Sequence, residues 1–211
     1  MFDSGAGGLS VVHAIKKILP EYEVLCVDDQ EHLPYGDKSP EELLRLVTPI
    51  LKDMQRQGCV VIVIACNTVT TTIIKELRKR IDIPLVGMEP MVKPAAAVTK
   101  TGVIAVCATP ATLASTRYAW LKATYAKDVK VLEPDCSQWA YMIEHDQVNE
   151  AKIKTQIDEV CDSGADVIVL GCTHYHWIEK TIQHLARKRA VVVQPEQPVI
   201  AQLKRVLARQ P

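Results

Sequence analysis

Short apolar runs alternate with segments of helical spacing along the chain, and this alternation constrains the fold more than any other feature. Strand-sized runs rich in β-branched and apolar residues lie at 24–27, 60–65, 85–87, 103–106, 129–132, 167–170 and 191–193. Helical spacing lies between most of them, at 9–19, 40–57, 69–81, 110–125 and 151–163. Apolar strands joined through helices are typical of parallel sheets that are covered on both faces. The sequence therefore predicts an α/β fold with mainly parallel sheets.

Local signals support these boundaries and place a domain change in the middle of the chain. Ser39 precedes Pro40 and two acidic residues, which is typical of a capped helix start. Gly58 and Gly164 end predicted helices directly before strands. Prolines then interrupt the alternation of strands and helices, so we predict that a second domain begins near residues 89–93.

The two halves of the chain share one sequence pattern, which is centred on a cysteine. Each copy consists of a glycine, an apolar strand, a cysteine, a polar pair and a helix. The copies are Gly58 to Cys66 with Asn67 and Thr68, and Gly164 to Cys172 with Thr173 and His174. Such a repeat would place each cysteine at the carboxyl end of a strand, where open α/β sheets bind their ligands.

Charge and hydropathy argue against several classes of protein. Lys plus Arg and Asp plus Glu both number 25, so no overall field favours nucleic acid as a partner. No apolar run reaches the roughly 18 residues that span a bilayer, so we expect no membrane association. The first residues lack the basic and apolar regions of a secretory signal, which predicts a cytoplasmic protein.

The seven cysteines are an odd number spread along the chain, which favours reduced thiols over a disulfide framework. Cys66 and Cys172 each end a strand and precede a helix, whose amides would favour a thiolate or a bound carboxylate. The alternative is that both are ordinary buried cysteines. We keep that alternative for the other five, which are Cys26, Cys59, Cys107, Cys136 and Cys161.

Three further patterns leave alternatives open. Cys172 and His174 could ligate zinc, but no second closely spaced pair accompanies them, and we predict no metal. The glycine-rich turn over 3–8 could bind a carboxylate or phosphate through its amides, although no P-loop lysine follows. Tyr35 and Gly36, six and seven residues after Asp29, could equally form a plain exposed loop.

Several of these segments together resemble the aspartate/glutamate racemase family. The resemblance covers nearly the whole chain. The segments are Phe2-Asp3-Ser4-Gly5 with Gly7-Gly8-Leu9, Pro34-Tyr35-Gly36, Ala65-Cys66-Asn67-Thr68, Ala108 to Thr112, Cys136 to Glu144 and Gly171-Cys172-Thr173-His174-Tyr175.

The resemblance implies two pseudo-symmetric α/β domains with the active site in the cleft between them. The last strand and helix would return to the first domain, giving a first domain of residues 1–91 plus 190–211 and a second of 92–189. It also implies an enzyme that interconverts L- and D-glutamate and supplies D-glutamate for peptidoglycan. A homodimer is a separate expectation.

The resemblance further implies a mechanism that uses two thiols and no cofactor. Cys66 and Cys172 would act on opposite faces of a planar carbanion, because a single base would return the proton to the face it left. Asp3 would assist the ionisation of Cys66, and His174 that of Cys172. Glu144 and Asp29 match further acids of the family. Substrate binding is expected at Asp3, Ser4, Tyr35, Gly36, Asn67, Thr68, Thr109, Thr112, Thr173 and His174.

Some positions depart from the family pattern. His176 and Trp177 replace a common Pro-Leu pair, Ser137 replaces a common proline, and the first strand is clipped at Met1. We expect these changes to affect the pocket walls, and so the specificity, more than the thiols. Racemisation of aspartate or of both acids, and a ligand-binding paralogue without turnover, are the alternative functions.

Overall fold

The structure, a computed structural model, describes residues 1–209 and contains two four-stranded sheets. The strands are β1 (Phe2–Asp3), β2 (Val27–Asp28), β3 (Ile62–Ile64), β4 (Leu85–Gly87), β5 (Val103–Ala108), β6 (Lys130–Leu132), β7 (Val167–Gly171) and β8 (Val191–Val193). The helices are α1 (Leu9–Ile18), α2 (Pro40–Arg56), α3 (Asn67–Leu77), α4 (Val92–Val98), α5 (Pro110–Ala114), α6 (Thr116–Tyr125), α7 (Trp139–Glu144), α8 (Glu150–Asp162), α9 (Glu179–Ala186) and α10 (Glu196–Leu207).

The two sheets share one topology. The first has the strand order β2-β1-β3-β4 and the second β6-β5-β7-β8, and the pairs in both are parallel. Each sheet therefore reverses its winding between its first and third strands, which is where doubly wound sheets open a crevice for ligands. The predicted α/β class and the internal repeat are confirmed.

Both sheets are covered by helices on both faces. In β3, Ile62 and Ile64 pack with α2 and α3, whereas Val63 packs with α1 and α10. In β7, Ile168 packs with α8 and α9, and Val169 packs with α4 and α6. Alternate side chains thus enter two separate apolar layers, which explains why the strands are apolar throughout.

Several predicted boundaries are confirmed by their local geometry. The hydroxyl of Ser39 accepts a hydrogen bond from the amide of Glu42 at 3.2 Å, and Pro40 occupies the first turn of α2. Gly58 and Gly164 follow α2 and α8 with φ of +90° and +96°, which other residues rarely adopt.

Other boundaries differ from the prediction for local reasons. The helix predicted over 110–125 is divided into α5 and α6, because Ser115 is extended and its hydroxyl accepts from the amide of Tyr118 at 3.1 Å. The strand predicted at 60–65 is shortened to β3, and the one predicted at 24–27 is replaced by β2, which begins only at Val27. Both lie beside β1 in the sheet, and β1 has only two residues with which they can pair.

Two helices have no counterpart in the prediction, namely α4 and α7, whereas α9 is the helix predicted after Cys172 and α10 is the last helix that the resemblance implies. Both α4 and α7 have seven residues or fewer, too few to display a periodic pattern. Pro94 and Pro198 lie in the first turns of α4 and α10, where a helix tolerates proline, although proline otherwise indicates a break. No helix within residues 1–209 is long and apolar enough to cross a bilayer.

The carboxyl-terminal segment divides between the two sheets. β8 pairs with β7 in the second sheet, whereas Val199 and Leu203 of α10 pack with Val12 of α1 in the first. The predicted return of residues 190–211 to the first domain is therefore wrong for the strand, because hydrogen bonding to β7 retains it. Residues 210–211 of that predicted range lie outside the described residues.

All seven cysteines are free thiols. Cys107, Cys136 and Cys161 are buried, as the alternative of ordinary core cysteines predicts, and Cys59 is half-buried. Cys26 is exposed just before β2, although its neighbours Val24 and Leu25 pack partly against the core.

Candidate active site

A cavity of about 140 Å³ lies between the two sheets, at the carboxyl ends of their strands. Drug-sized ligands occupy pockets of roughly 300–1,000 Å³, so this cavity suits a much smaller molecule. Both strand-end cysteines line it. The predicted site residues that line it are Ser4, Tyr35, Gly36, Cys66, Asn67, Thr68, Thr109, Cys172, Thr173 and His174.

Cys66 follows β3 and caps the amino end of α3. The hydroxyl of Ser4 lies 3.3 Å from its sulfur, and the amides of Thr68 and Val69 point toward it. Burial, reinforced by the negative charge of Asp3, raises the pKa of the Cys66 thiol to about 11, although these hydrogen bonds oppose the shift. The thiol is therefore neutral at physiological pH.

Cys172 follows β7 and begins a 3₁₀ turn, Thr173–Ile178. Its sulfur lies 3.8 Å from Nδ1 of His174, and Nε2 of the same ring contacts the carboxylate of Glu144. Burial, and then proximity to Cys66, raises the pKa of Cys172 above its usual range. The imidazole lies between a thiol and a carboxylate, so it can accept the thiol proton while the carboxylate stabilises the resulting charge.

Asp3 lies at the end of β1 and is fully buried. One carboxylate oxygen accepts from the amide of Ser4 at 2.9 Å, and the other accepts from the hydroxyl of Thr173 at 3.0 Å. Burial raises the pKa of Asp3 to about 6, against the opposing effect of nearby His174. Asp3 acts on Cys66 through its charge, whereas the direct polar contact with the sulfur is made by Ser4.

A cluster of hydroxyls joins the two halves of the cavity wall. Thr68 of α3 lies 2.9 Å from Thr109, which in turn donates to Thr112 at 3.0 Å. Beside them, Asn67 is buried and both polar atoms of its side chain lack a partner among the described residues. A buried amide without partners is costly, so its position on the cavity indicates that a polar ligand completes its hydrogen bonds.

Four of the predicted residues do not line the cavity, namely Asp3, Asp29, Thr112 and Glu144. Each is hydrogen-bonded to a residue that does. Asp3 contacts Thr173, Asp29 contacts Tyr35, Thr112 contacts Thr109 and Glu144 contacts His174. Ser137 lies in the wall, as expected from its departure from the family pattern. The rest of the wall was not predicted, although most of it lies within or beside the quoted motifs. Those residues are Leu33, Pro34, Asp37, Pro110, Gln138, Ala140 and Tyr141.

The glycine-rich turn over residues 3–8 serves close packing and not the ligand contact that its amides suggested. Within the turn, Ser4 lines the cavity and the glycines do not. A Cβ atom on Gly7 would lie 2.7 Å from the amide nitrogen of His174 and 2.8 Å from the hydroxyl of Thr173. Only glycine lets the first half of the chain approach the Cys172 turn this closely.

Replacement of Gly7 by alanine is expected to lower the free energy of unfolding by about 1–3 kcal/mol, the usual cost of overpacking. It should also reduce substrate affinity, because the displaced atoms belong to Thr173 and His174. Urea unfolding measures the first effect. Ser10→Ala is the control, since the Ser10 hydroxyl makes only a 3.4 Å contact with Gly7, and equal stability of the two variants would contradict the packing argument.

The metal alternative finds no support in the arrangement of side chains. Across residues 1–209, no three His, Cys, Asp or Glu side chains converge in the way that a metal ion requires.

His176, two residues after His174, has both ring nitrogens buried without a partner among the described residues. Burial lowers the pKa of its imidazole to about 4, so the ring is neutral at physiological pH.

Comparisons with known proteins agree with this geometry. The family model described as Asp/Glu/Hydantoin racemase matches residues 8–202. A glutamate racemase of Pseudomonas putida is 38% identical over 213 residues, which cover 99% of this chain and 80% of that protein.

Solved structures of similar fold include glutamate racemases. The enzyme of Escherichia coli, in complex with L-glutamate and the activator UDP-MurNAc-Ala, has a TM-score of 0.86 at 26% identity and covers 99% of this chain and 81% of that one. The enzyme of Francisella tularensis, in complex with D-glutamate, has a TM-score of 0.81 at 27% identity, with coverage of 98% and 79%. The family model and the relatives together establish that this chain belongs to the Asp/Glu/Hydantoin racemase family.

Proposed function

We propose that this chain is a glutamate racemase that inverts the α-carbon with two thiols and no cofactor. The observation that carries the proposal is the position of Cys66 and Cys172. They end equivalent strands of two sheets with the same topology and line one cavity. The names of the similar proteins support glutamate as the substrate.

The pseudo-symmetry provides the arrangement that inversion requires. One thiolate removes the α-proton from one face, and the opposite thiol donates its proton to the other face of the planar carbanion. For the other enantiomer the two cysteines exchange roles. A single base could only return the proton to the face that it left.

Ionisation of the thiols depends on their neighbours, because burial favours the neutral form of both. For Cys172, the His174 and Glu144 pair accepts the proton. For Cys66, the Ser4 hydroxyl and the amides at the start of α3 stabilise the thiolate. The substrate ammonium group brings a positive charge into the cavity, which further favours either thiolate.

Polar side chains around the thiols would bind the substrate and stabilise the carbanion. Within residues 1–209 the side chain of Asn67 has a donor and an acceptor without a partner, and Thr68, Thr109 and Thr173 line the same cavity. Hydroxyl and amide groups suit both carboxylates of an acidic amino acid. Donors that are already fixed by the fold stabilise developing negative charge without reorganising.

We further propose that the enzyme works in the cytoplasm and supplies D-glutamate for peptidoglycan. The mechanism needs two free thiols, which the cytoplasm keeps reduced. The homodimer stays a prediction, and light scattering would detect a particle of two chains.

Exchange of the α-proton is the test of this function. The protein is incubated in deuterated water with L-glutamate or L-aspartate, with no cofactor added, and NMR follows the α-position. We expect deuterium in both enantiomers of glutamate and the appearance of D-glutamate. Exchange with aspartate alone would make the chain an aspartate racemase, and tight binding without exchange would make it a binding protein.

A further inference from the structure

The loop over residues 29–37 forms one wall of the cavity. Leu33, Pro34, Tyr35, Gly36 and Asp37 are five consecutive residues that line it. Two short 3₁₀ turns make up most of this loop, and neither has a side-chain cap. The short backbone hydrogen-bond pattern of these turns holds the loop only weakly. The position of this cavity wall therefore depends on contacts between side chains.

One carboxylate ties the loop together. Asp29 accepts from the hydroxyl of Tyr35 at 2.6 Å with one oxygen, and its other oxygen lies 2.7 Å from Nδ1 of His32. Because a carboxylate only accepts, Nδ1 of His32 carries the proton in this contact. Hydrogen bonds to an ionised group are shorter and stronger than neutral ones. The three side chains thus form a chain from the surface to the cavity.

The two ends of this chain lie in different surroundings. Tyr35 is buried, and its ring packs in the core beside Cys66 and α2. The side chain of His32 is 43% exposed, so it can be replaced without opening the core. Asp29 is buried between them, and without His32 one of its oxygens would have to find water or another donor.

We propose that His32 is a positioning residue, which acts through Asp29 to fix Tyr35 and thereby the wall against which the substrate rests. The inference rests on the proposed function, since it assigns a role at the same cavity. His32 touches neither thiol and takes no part in proton transfer. Its loss should therefore weaken substrate binding and leave the chemical step nearly unchanged.

A double-mutant cycle of His32→Ala and Tyr35→Phe tests the proposal. We expect His32→Ala to raise KM about fivefold with kcat within about twofold, in line with the loss of a half-exposed hydrogen bond. In the Tyr35→Phe background, which lacks the hydroxyl, the same change should alter KM by less than about twofold. His32→Asn keeps a donor for Asp29 and should restore KM to near the wild-type value.

His13→Ala is the matched control, because His13 lies on the exposed face of α1 away from the cavity. An unchanged KM in His32→Ala would overturn the proposal, and so would an equal rise in KM in both backgrounds. A wild-type protein without turnover would instead overturn the proposed function. The same cycle, with the Kd of L-glutamate measured by calorimetry, would then decide the role of His32.

Discussion

Cys66→Ser and Cys172→Ser are each expected to abolish racemisation while the fold remains intact. A serine hydroxyl is a far weaker acid than a thiol, so neither proton donation nor proton removal survives at that position. The loss of one general acid or base typically costs about 10²–10⁴ in rate. Here the loss should reach the upper end of that range, because inversion requires both groups.

The two variants should differ in the exchange that they retain. The remaining thiol can still remove the α-proton of the enantiomer that faces it, and can return a deuteron to the same face. Each variant should therefore exchange one enantiomer with retention, and the two should prefer opposite enantiomers. NMR in deuterated water combined with chiral chromatography distinguishes exchange with retention from inversion.

Cys26→Ser is the matched control, because this exposed cysteine lies outside the cavity and should be replaced without effect. Near-normal racemisation by either Cys66→Ser or Cys172→Ser would defeat the two-thiol mechanism. The same preferred enantiomer in both variants would show that the cysteines do not lie on opposite faces of the substrate.

The sequence predicted the architecture through features that are local or repeated. Alternation of apolar strands and helices specified the class, and the repeat around Cys66 and Cys172 specified two equivalent sheets. The position of β8 could not be predicted in this way. A three-residue strand is assigned to a sheet by its hydrogen bonds to β7, which local composition does not reveal.

The site was predictable where residues follow the end of a strand. That rule placed Cys66 and Cys172 at the carboxyl ends of neighbouring sheets, and the structure brings them to one cavity. Contacts between distant segments were not predictable. The bond from Thr173 to Asp3 joins residues 170 positions apart, and it exists only because Gly7 permits the close approach.

Asp3→Asn is expected to change the pH dependence of stability and to reduce activity. In the unfolded chain Asp3 ionises near 3.8, whereas burial raises its pKa to about 6 in the folded protein. The folded state therefore binds more protons between these values, and stability falls as the pH rises through that window. Above this pH window the free energy of unfolding stays lower by the full amount, on the order of 3 kcal/mol.

Asparagine stays neutral at every pH, so this loss should vanish in the variant. Replacement also removes an acceptor for Ser4 or Thr173, which costs about 1–3 kcal/mol at all pH values. The informative quantity is therefore the change with pH. Between about pH 5 and about pH 8, urea unfolding should show the free energy of unfolding of the variant rising by about 1.5 kcal/mol relative to that of the wild type.

The activity of Asp3→Asn should fall even though the variant gains stability at higher pH. A buried charge that lowers stability is kept in an enzyme when the reaction needs it, and we expect this of Asp3. Asp3→Asn should reduce kcat by about tenfold or more, with a smaller effect on KM. Stability curves that run parallel across this pH range would show that Asp3 ionises as an ordinary carboxylate. Full activity in a stabilised variant would show that the reaction does not use this charge.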